Sequence, residues 1–440
     1  MMRSGGRDNF FAYPADSVPT SDATFRVAPA LVLIASMCFN VVLAFVNAHV
    51  MGVPTALVIA AQAALTAAAL GLALLAWKPQ MEASIALLAV FGLFAVFRGL
   101  VMAQPDPKLL SDVAIIPIFM MLGMASDDRN LGRTVLALHT IVFAVFLLEV
   151  VVPHAYSSLL NIQEYYIKTR GNKIDQFYNT NSDLFISATR PGSRLFSFVD
   201  WPRSSSIFLE PVSLGNYCSI IVAFACSCIK RLGWTSVAYL MITTAAMLVG
   251  CDGRLGTATC VLIIIVCVIG PLLPRRTAVL YLPLTIAFVF VLVIGAGLEP
   301  GSDDFPGRLA YTVNLLRSYG VAEYLGFSNE LLGKSMDAGV AYIITTQSLP
   351  GLLLIWAYVG WSGREDTPEQ IRFAHALSLY LALSMMVSFS FLSIKTGALL
   401  WFIQGALQSG SARQATRRFA NPNQDEKKVL APTERSLWAR

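Results

Sequence analysis

Apolar residues along the chain collect into long, nearly uninterrupted runs separated by short polar breaks. Twelve such runs cover 27–48, 54–77, 84–103, 112–125, 134–152, 211–229, 234–250, 256–273, 278–298, 339–360, 371–391 and 394–411. A helix of about 20 residues crosses a ~30 Å hydrocarbon core, so each run predicts a membrane-spanning helix. Two are atypical. The fourth is short and contains Pro117, which predicts a tilted, broken or re-entrant segment, and the last carries Lys395. The predicted fold is all-α: a polytopic integral membrane protein of about 12 transmembrane helices.

The polar breaks carry the orientation. Lys and Arg near span ends stay on the cytoplasmic side. An inside N-terminus assigns Arg3, Arg7, Arg26, Lys78, Arg129, Arg133, Lys230, Arg231, Arg275, Arg276, Arg364, Arg372 and the basic tail from Arg413 to the cytoplasm. The short outer connections then hold only Lys108, Arg254 and Lys395. Both termini come out cytoplasmic, with tails over 1–26 and 412–440, and the first span is expected to act as an uncleaved signal anchor. Two long connections, 153–210 and 299–338, fall on the outer face between spans 27–152, 211–298 and 339–411. The first mixes tyrosine and phenylalanine with polar residues. The second has apolar residues at helical spacing between Arg308 and Ala322, predicting an amphipathic helix over the outer surface.

Composition narrows the function classes. Hydrophobic residues make up 56% of the 440 and charged residues 13%, with a mean hydropathy of +0.62, so no soluble catalytic domain fits between the spans. The net charge of +5 is dispersed over loops and tails and does not suggest a nucleic-acid partner. The seven cysteines lie almost wholly inside apolar runs, as small buried hydrophobes do, with neither disulfide nor metal spacing.

Charge inside spans changes the picture more. Arg98, Asp112, Glu149, Glu210, Asp252, Arg254 and Lys395 all fall within about two turns of the predicted outer ends of their helices. A charge at a helix centre costs about 2.5–3.5 kcal/mol on insertion scales. Snorkelling to the headgroups accounts for any single cation, but carboxylates are too short to reach far, and a polar cavity open to the outer leaflet accounts for the set. "GCDGRLG", 250–256, holds Arg254 beside a glycine-flanked turn, which reads either as a plain Asp-Gly bend or as a guanidinium presented to a phosphate. In "RSSSIFLEPVSLGNY", 203–217, Glu210 and Pro211 suit the first turn of a helix.

"RSSSIFLEPVSLGNY", then "GCDGRLGTATCVLIIIV", "GRLAYTVNLL" and "LGKSMDAGVAYIITTQSLPGLLL", resemble the bacterial Wzy-type polysaccharide polymerases and their O-antigen ligase relatives, above all exopolysaccharide polymerases of the xanthan (GumE) kind. The resemblance covers roughly residues 190–360. It implies a GT-C-like membrane glycosyltransferase of the bacterial inner membrane that joins undecaprenyl-diphosphate-linked repeat units at the periplasmic face. Donor and acceptor are both lipid-linked oligosaccharides, membrane lipid surrounds the site, a chain-length co-polymerase is usual in such pathways, and neither cofactor nor metal is implied. By motif position the diphosphate falls to Arg203 and Arg254, then Arg308 and Arg194, because preorganised cations stabilise charge that grows as the glycosidic bond breaks.

Asp337 stands where ligase relatives carry a histidine and is the candidate base; capping the next helix is its alternative role. Glu210 is the competing carboxylate. Its place at a helix start lowers its pKa, which suits hydrogen bonding to Arg203 or a sugar better than proton abstraction. None of His49, His139, His154 and His375 lies in the second long connection, which weighs against a ligase. Tyr165, Tyr166, Phe177, Tyr178, Phe196, Phe198 and Trp201 offer stacking faces for sugars or, alternatively, an interfacial belt or a small loop core. A ligase-type transferase and a lipid-linked oligosaccharide flippase are the other functions compatible with these residues.

Overall fold

The computed structural model describes residues 23–420, except 127–129, 175–176, 178–182, 190–193 and 302–304, with side chains over 27–409. Most of both predicted tails, together with Tyr178, lies outside the described residues. Among the described residues there are helices and no strands, as expected where lipid offers the backbone no partner. The helices of eight residues or more are α1 Ala23–His49, α2 Thr55–Leu75, α3 Glu82–Met102, α4 Pro107–Ala125, α5 Leu131–Val151, α6 Pro153–Leu160, α7 Ile162–Arg170, α8 Pro211–Ser227, α9 Trp234–Cys251, α10 Arg254–Ile269, α11 Tyr281–Gly295, α12 Phe305–Arg317, α13 Gly339–Trp361, α14 Pro368–Ser384 and α15 Ile394–Ala420.

Among the described residues nine helical stretches are long and apolar enough to cross a membrane: α1, α2, α3 from Pro79, α4, α5, α9, α10 through Leu272, α11 from Arg275, and α13. The other three predicted runs coincide with α8, α14 and α15. These are shorter or more polar, and they lie inside the bundle, where protein rather than lipid surrounds them. Polar side chains are tolerated there because neighbouring helices supply partners.

The run predicted at 112–125 is not broken. Helix α4 is continuous through Pro117 and starts at Pro107, where the Asp106 carboxylate accepts from the Lys108 N–H at 3.0 Å. Lys108, which reads as a connection residue, and Asp112, the first residue of the predicted run, form an i,i+4 ion pair at 2.5 Å near its start. Helix α14 ends at Ser384, short of the predicted 391, and residues 385–393 form a tight connection into α15.

Helices α4 and α15 form the centre of the bundle. A Cβ at Gly123 would overlap the Phe402 carbonyl, and one at Gly405 would overlap the Met120 carbonyl, so the two backbones touch. Small residues permit that approach in lipid. A similar contact fixes the 250–256 turn: a Cβ at Gly256 would come within 2.9 Å of the Gly215 carbonyl oxygen of α8.

Contacts between connections show that the helices alternate in direction. On one face, His49 bonds the Leu159 carbonyl at 3.0 Å, Thr55 donates to Thr169 at 2.8 Å, and Arg98 donates to Gly326 and Asn329, both at 2.6 Å. On the opposite face Arg231 pairs with Glu369 at 3.0 Å, Arg275 donates to Gly363 and Val359, and Lys78 donates to Met124. The first is called below the Glu210 face.

Candidate functional site

The stretch 203–210 approaches α8 through a conformation that its sequence does not advertise. Ser206 and Leu209 adopt left-handed φ of 50° and 62°, an uncommon backbone for such residues. The turn is held by Glu149 at the end of α5. Its Oε2 accepts from the N–H groups of Ser205 (2.8 Å) and Ser206 (2.7 Å), and its Oε1 from the Ser205 hydroxyl at 3.1 Å. Tyr156 of α6 donates to the Ser206 carbonyl at 2.7 Å. Glu149, read from the sequence only as one charge among several, is the anchor of this turn.

Glu210 stands just before α8 without capping it through its side chain, and draws two cations to itself. Its Oε1 accepts from the Tyr166 hydroxyl at 2.9 Å and pairs with Arg170 Nη2 at 2.5 Å. Its Oε2 pairs with Lys395 Nζ at 3.0 Å and accepts from the Ser213 hydroxyl at 3.0 Å. The Arg170 guanidinium lies 4.4 Å from the centre of the Tyr166 ring, a cation–π contact. Burial by itself would raise the Glu210 carboxyl, but Arg170 and Lys395 outweigh it and hold the group well below the usual carboxylate range. Burial and the Glu210 charge push the Tyr166 phenol far up, so it stays protonated and donates to Glu210. Three segments distant in sequence, α7, α8 and the start of α15, meet here. Arg170 was not singled out from the sequence, and Lys395 stood out only as a cation inside an apolar run.

A second polar corner joins the first long connection to the turn between α9 and α10. Asp252 has a left-handed φ of 48° and a fully buried side chain. Its Oδ1 accepts from the Leu195 N–H at 2.8 Å, and its Oδ2 lies 3.1 Å from Arg203 Nη2. That second contact is an ion pair without hydrogen-bond alignment, which leaves Oδ2 unsatisfied as an acceptor. Arg194 donates to the carbonyls of Val199, Trp201 and Gly250, the last at 3.2 Å. Arg194 and Arg203 therefore brace the turn that exposes Arg254.

The second long connection begins with α12, the predicted amphipathic helix, which buries Leu309, Val313 and Leu316 and ends at Arg317. Arg308 is half-buried on it. Asp337 is exposed just before α13, whose N-cap is Ala338 without a side-chain cap, so Asp337 does not take the capping role. Burial, and after it the Asp337 charge, raises the Tyr311 phenol. Between the two connections, Asn216 of α8 donates to Ser390 at 2.9 Å, Ser390 meets Ser388 at 2.5 Å, and Phe389 stacks on Tyr342 with centroids 4.7 Å apart.

Of the predicted site residues, then, Arg194 and Arg203 meet at the turn carrying Arg254, and Glu210 joins Arg170 and Lys395. Arg308 and Asp337 belong to the second connection. Tyr165 and Tyr166 are buried in a small core that the first connection shares with α1, Phe177 is buried, and Phe198 and Trp201 are exposed. Among the described residues no three His, Cys, Asp or Glu side chains gather as metal ligands. No protein-family model, curated protein or solved structure matches the chain.

Proposed function

We propose that the protein is an inner-membrane polysaccharide polymerase, with twelve spans and both termini cytoplasmic, that joins undecaprenyl-diphosphate-linked repeat units at its Glu210 face. One observation carries this reading: buried or paired charges gather at that face, namely Arg98, Lys108–Asp112, Glu149, Glu210 with Arg170 and Lys395, and Arg203–Asp252. Both long connections fold over the same end. Charge held there by helix ends and loops suits chemistry on headgroups at one leaflet.

In this reading Arg254, exposed on a braced turn, meets the donor diphosphate and stabilises it as the anomeric bond breaks. Arg308 is a second cation for that group, and Arg203 and Arg194 hold the turn. Asp337, exposed and uncapped, takes the proton from the attacking sugar hydroxyl. Glu210, kept charged by two cations, is too weak a base for that step and organises the cations instead.

A lipid-linked oligosaccharide flippase is the second reading, favoured by the break in α13, where Ser348 has φ 71° two residues before Pro350. The two readings separate when purified protein is incubated with a lipid-linked repeat unit. A ladder of products, absent with Arg254→Ala, supports the polymerase. Chemically unchanged substrate, moved between leaflets of a vesicle, overturns it in favour of the flippase.

A further inference from the structure

A polymerase whose donor and acceptor both hang from diphosphates has to hold two of them, and the Arg254 turn accounts for one. Resting on that reading for the identity of its ligand, we infer that Arg170 and Lys395 form a second diphosphate site, which Glu210 occupies as a displaceable internal counter-ion in the free protein. Both Glu210 oxygens are engaged by cations, yet one carboxylate faces two positive groups, so the centre keeps a net positive charge.

Its other polar neighbours do not cancel that charge. Tyr166 and Ser213 are neutral donors, Lys395 also donates to the Phe208 carbonyl at 3.4 Å, and Glu164 on α7 is already paired with Lys168 at 2.5 Å. The two cations also differ in access. Lys395 is 7% exposed, whereas Arg170 is 46% exposed, its guanidinium held over the Tyr166 ring and 5.9 Å from the centre of the Phe185 ring, so an incoming anion meets Arg170 first. A diphosphate offers more charge and more acceptor oxygens than a carboxylate, and a guanidinium binds it in a bidentate manner. Displacing Glu210 would also loosen the attachment of α7 to α8, linking occupancy to movement of the first long connection.

The test is equilibrium binding of inorganic pyrophosphate and of geranyl diphosphate to the full chain in detergent, for the wild type and for Glu210→Gln, Arg170→Gln and Lys395→Met. Removing the internal competitor in Glu210→Gln is expected to tighten binding at one site at least tenfold, and Arg170→Gln to weaken it at least tenfold. Arg170→Gln leaves Glu210 balanced by Lys395, and all three variants are scored only for protein that elutes as the wild type does. Tighter binding of the prenyl compound assigns the site to a lipid headgroup, and equal binding assigns it to free diphosphate. An unchanged affinity in both Glu210→Gln and Arg170→Gln overturns the inference. Polymer formation is read separately: binding that follows this pattern in a protein yielding no product ladder would overturn the polymerase reading and leave the site standing.

Discussion

Two carboxylates on the Glu210 face perform the same mechanical task and leave different net charges behind. Glu210 fastens α7 and the start of α15 to α8, and Asp252 fastens residues 195–203 to the turn between α9 and α10. Asp252 has one cation and a backbone N–H, which leaves a balanced pair with an unfilled lone pair. Glu210 has two cations, which leaves surplus positive charge in a desolvated place. Latches of similar construction therefore differ in what they offer a ligand: the Asp252 corner presents a neighbouring arginine, whereas the Glu210 centre is itself an anion site with its anion built in.

The largest effect is expected at Glu210. Glu210→Ala leaves Lys395 buried without its counter-charge, and breaking such a pair by removing one partner costs about 3–5 kcal/mol. The melting temperature should fall further than for any other change on this face, and added pyrophosphate should restore part of the loss by mass action. The acid dependence follows from the same depressed pKa. A carboxyl whose folded value lies below its ordinary 4.5 contributes its full stability above that pH, and the contribution is lost as pH falls through the depressed value. Melting temperature against pH should accordingly be flat with respect to this centre from 5 upward and fall below, with the fall reduced in Glu210→Gln. A melting temperature unchanged by Glu210→Ala would mean that the two latches are not distinct.

The helices were legible from apolar run length because lipid imposes it. The misjudged segments are those that lipid does not touch. Helix α4 begins at Pro107, ahead of the predicted 112, because Lys108 reads as a connection residue, yet it and Asp112 neutralise each other one turn apart. Helix α14 was overextended because 385–391, although apolar, is packed by protein and turns. At the site, Arg203, Glu210, Asp252 and Lys395 were visible as charges, but their pairing was not. Arg203 meets Asp252 across the membrane face, and Glu210 meets Arg170 from a helix 40 residues earlier. Such long-range choices depend on how loops fold back, and spacing within a span holds no trace of them. Arg170 had no signal at all, being one more arginine in a polar loop.

An intermediate effect is expected at Asp252. Asp252→Ala strips an acceptor from the Leu195 N–H and a counter-charge from Arg203, which is 17% exposed and can turn towards solvent. A lost buried hydrogen bond of this kind costs about 1–3 kcal/mol. The change should be local. Amide exchange should accelerate over 194–204, while the α7–α8 contact keeps its protection, the reverse of the pattern in Glu210→Ala. Acceleration over both regions in Asp252→Ala would show one cooperative latch in place of two.

Asp337 completes the comparison as a carboxylate on the same loops with no latch to hold. It is exposed, and among the described residues no hydrogen bond or ion pair to its carboxylate is found, so Asp337→Asn should change stability by no more than about 0.5 kcal/mol. That near-zero shift makes it the cleanest separation of structure from chemistry on this face. If Asp337 removes the proton from the attacking hydroxyl, the variant should fold and insert as the wild type does, yet extend polymer roughly 10²–10⁴-fold more slowly, the usual contribution of a positioned base. The Tyr311 phenol, raised in part by the Asp337 charge, supplies an independent marker. Its titration should move down towards the ordinary tyrosine value in Asp337→Asn, showing that the charge has gone even if activity is retained. Full polymer length at the wild-type rate with that shift present would remove Asp337 from the reaction and turn the search for a base to the other carboxylates of the face, where Glu210 and Asp252 are already committed to their arginines.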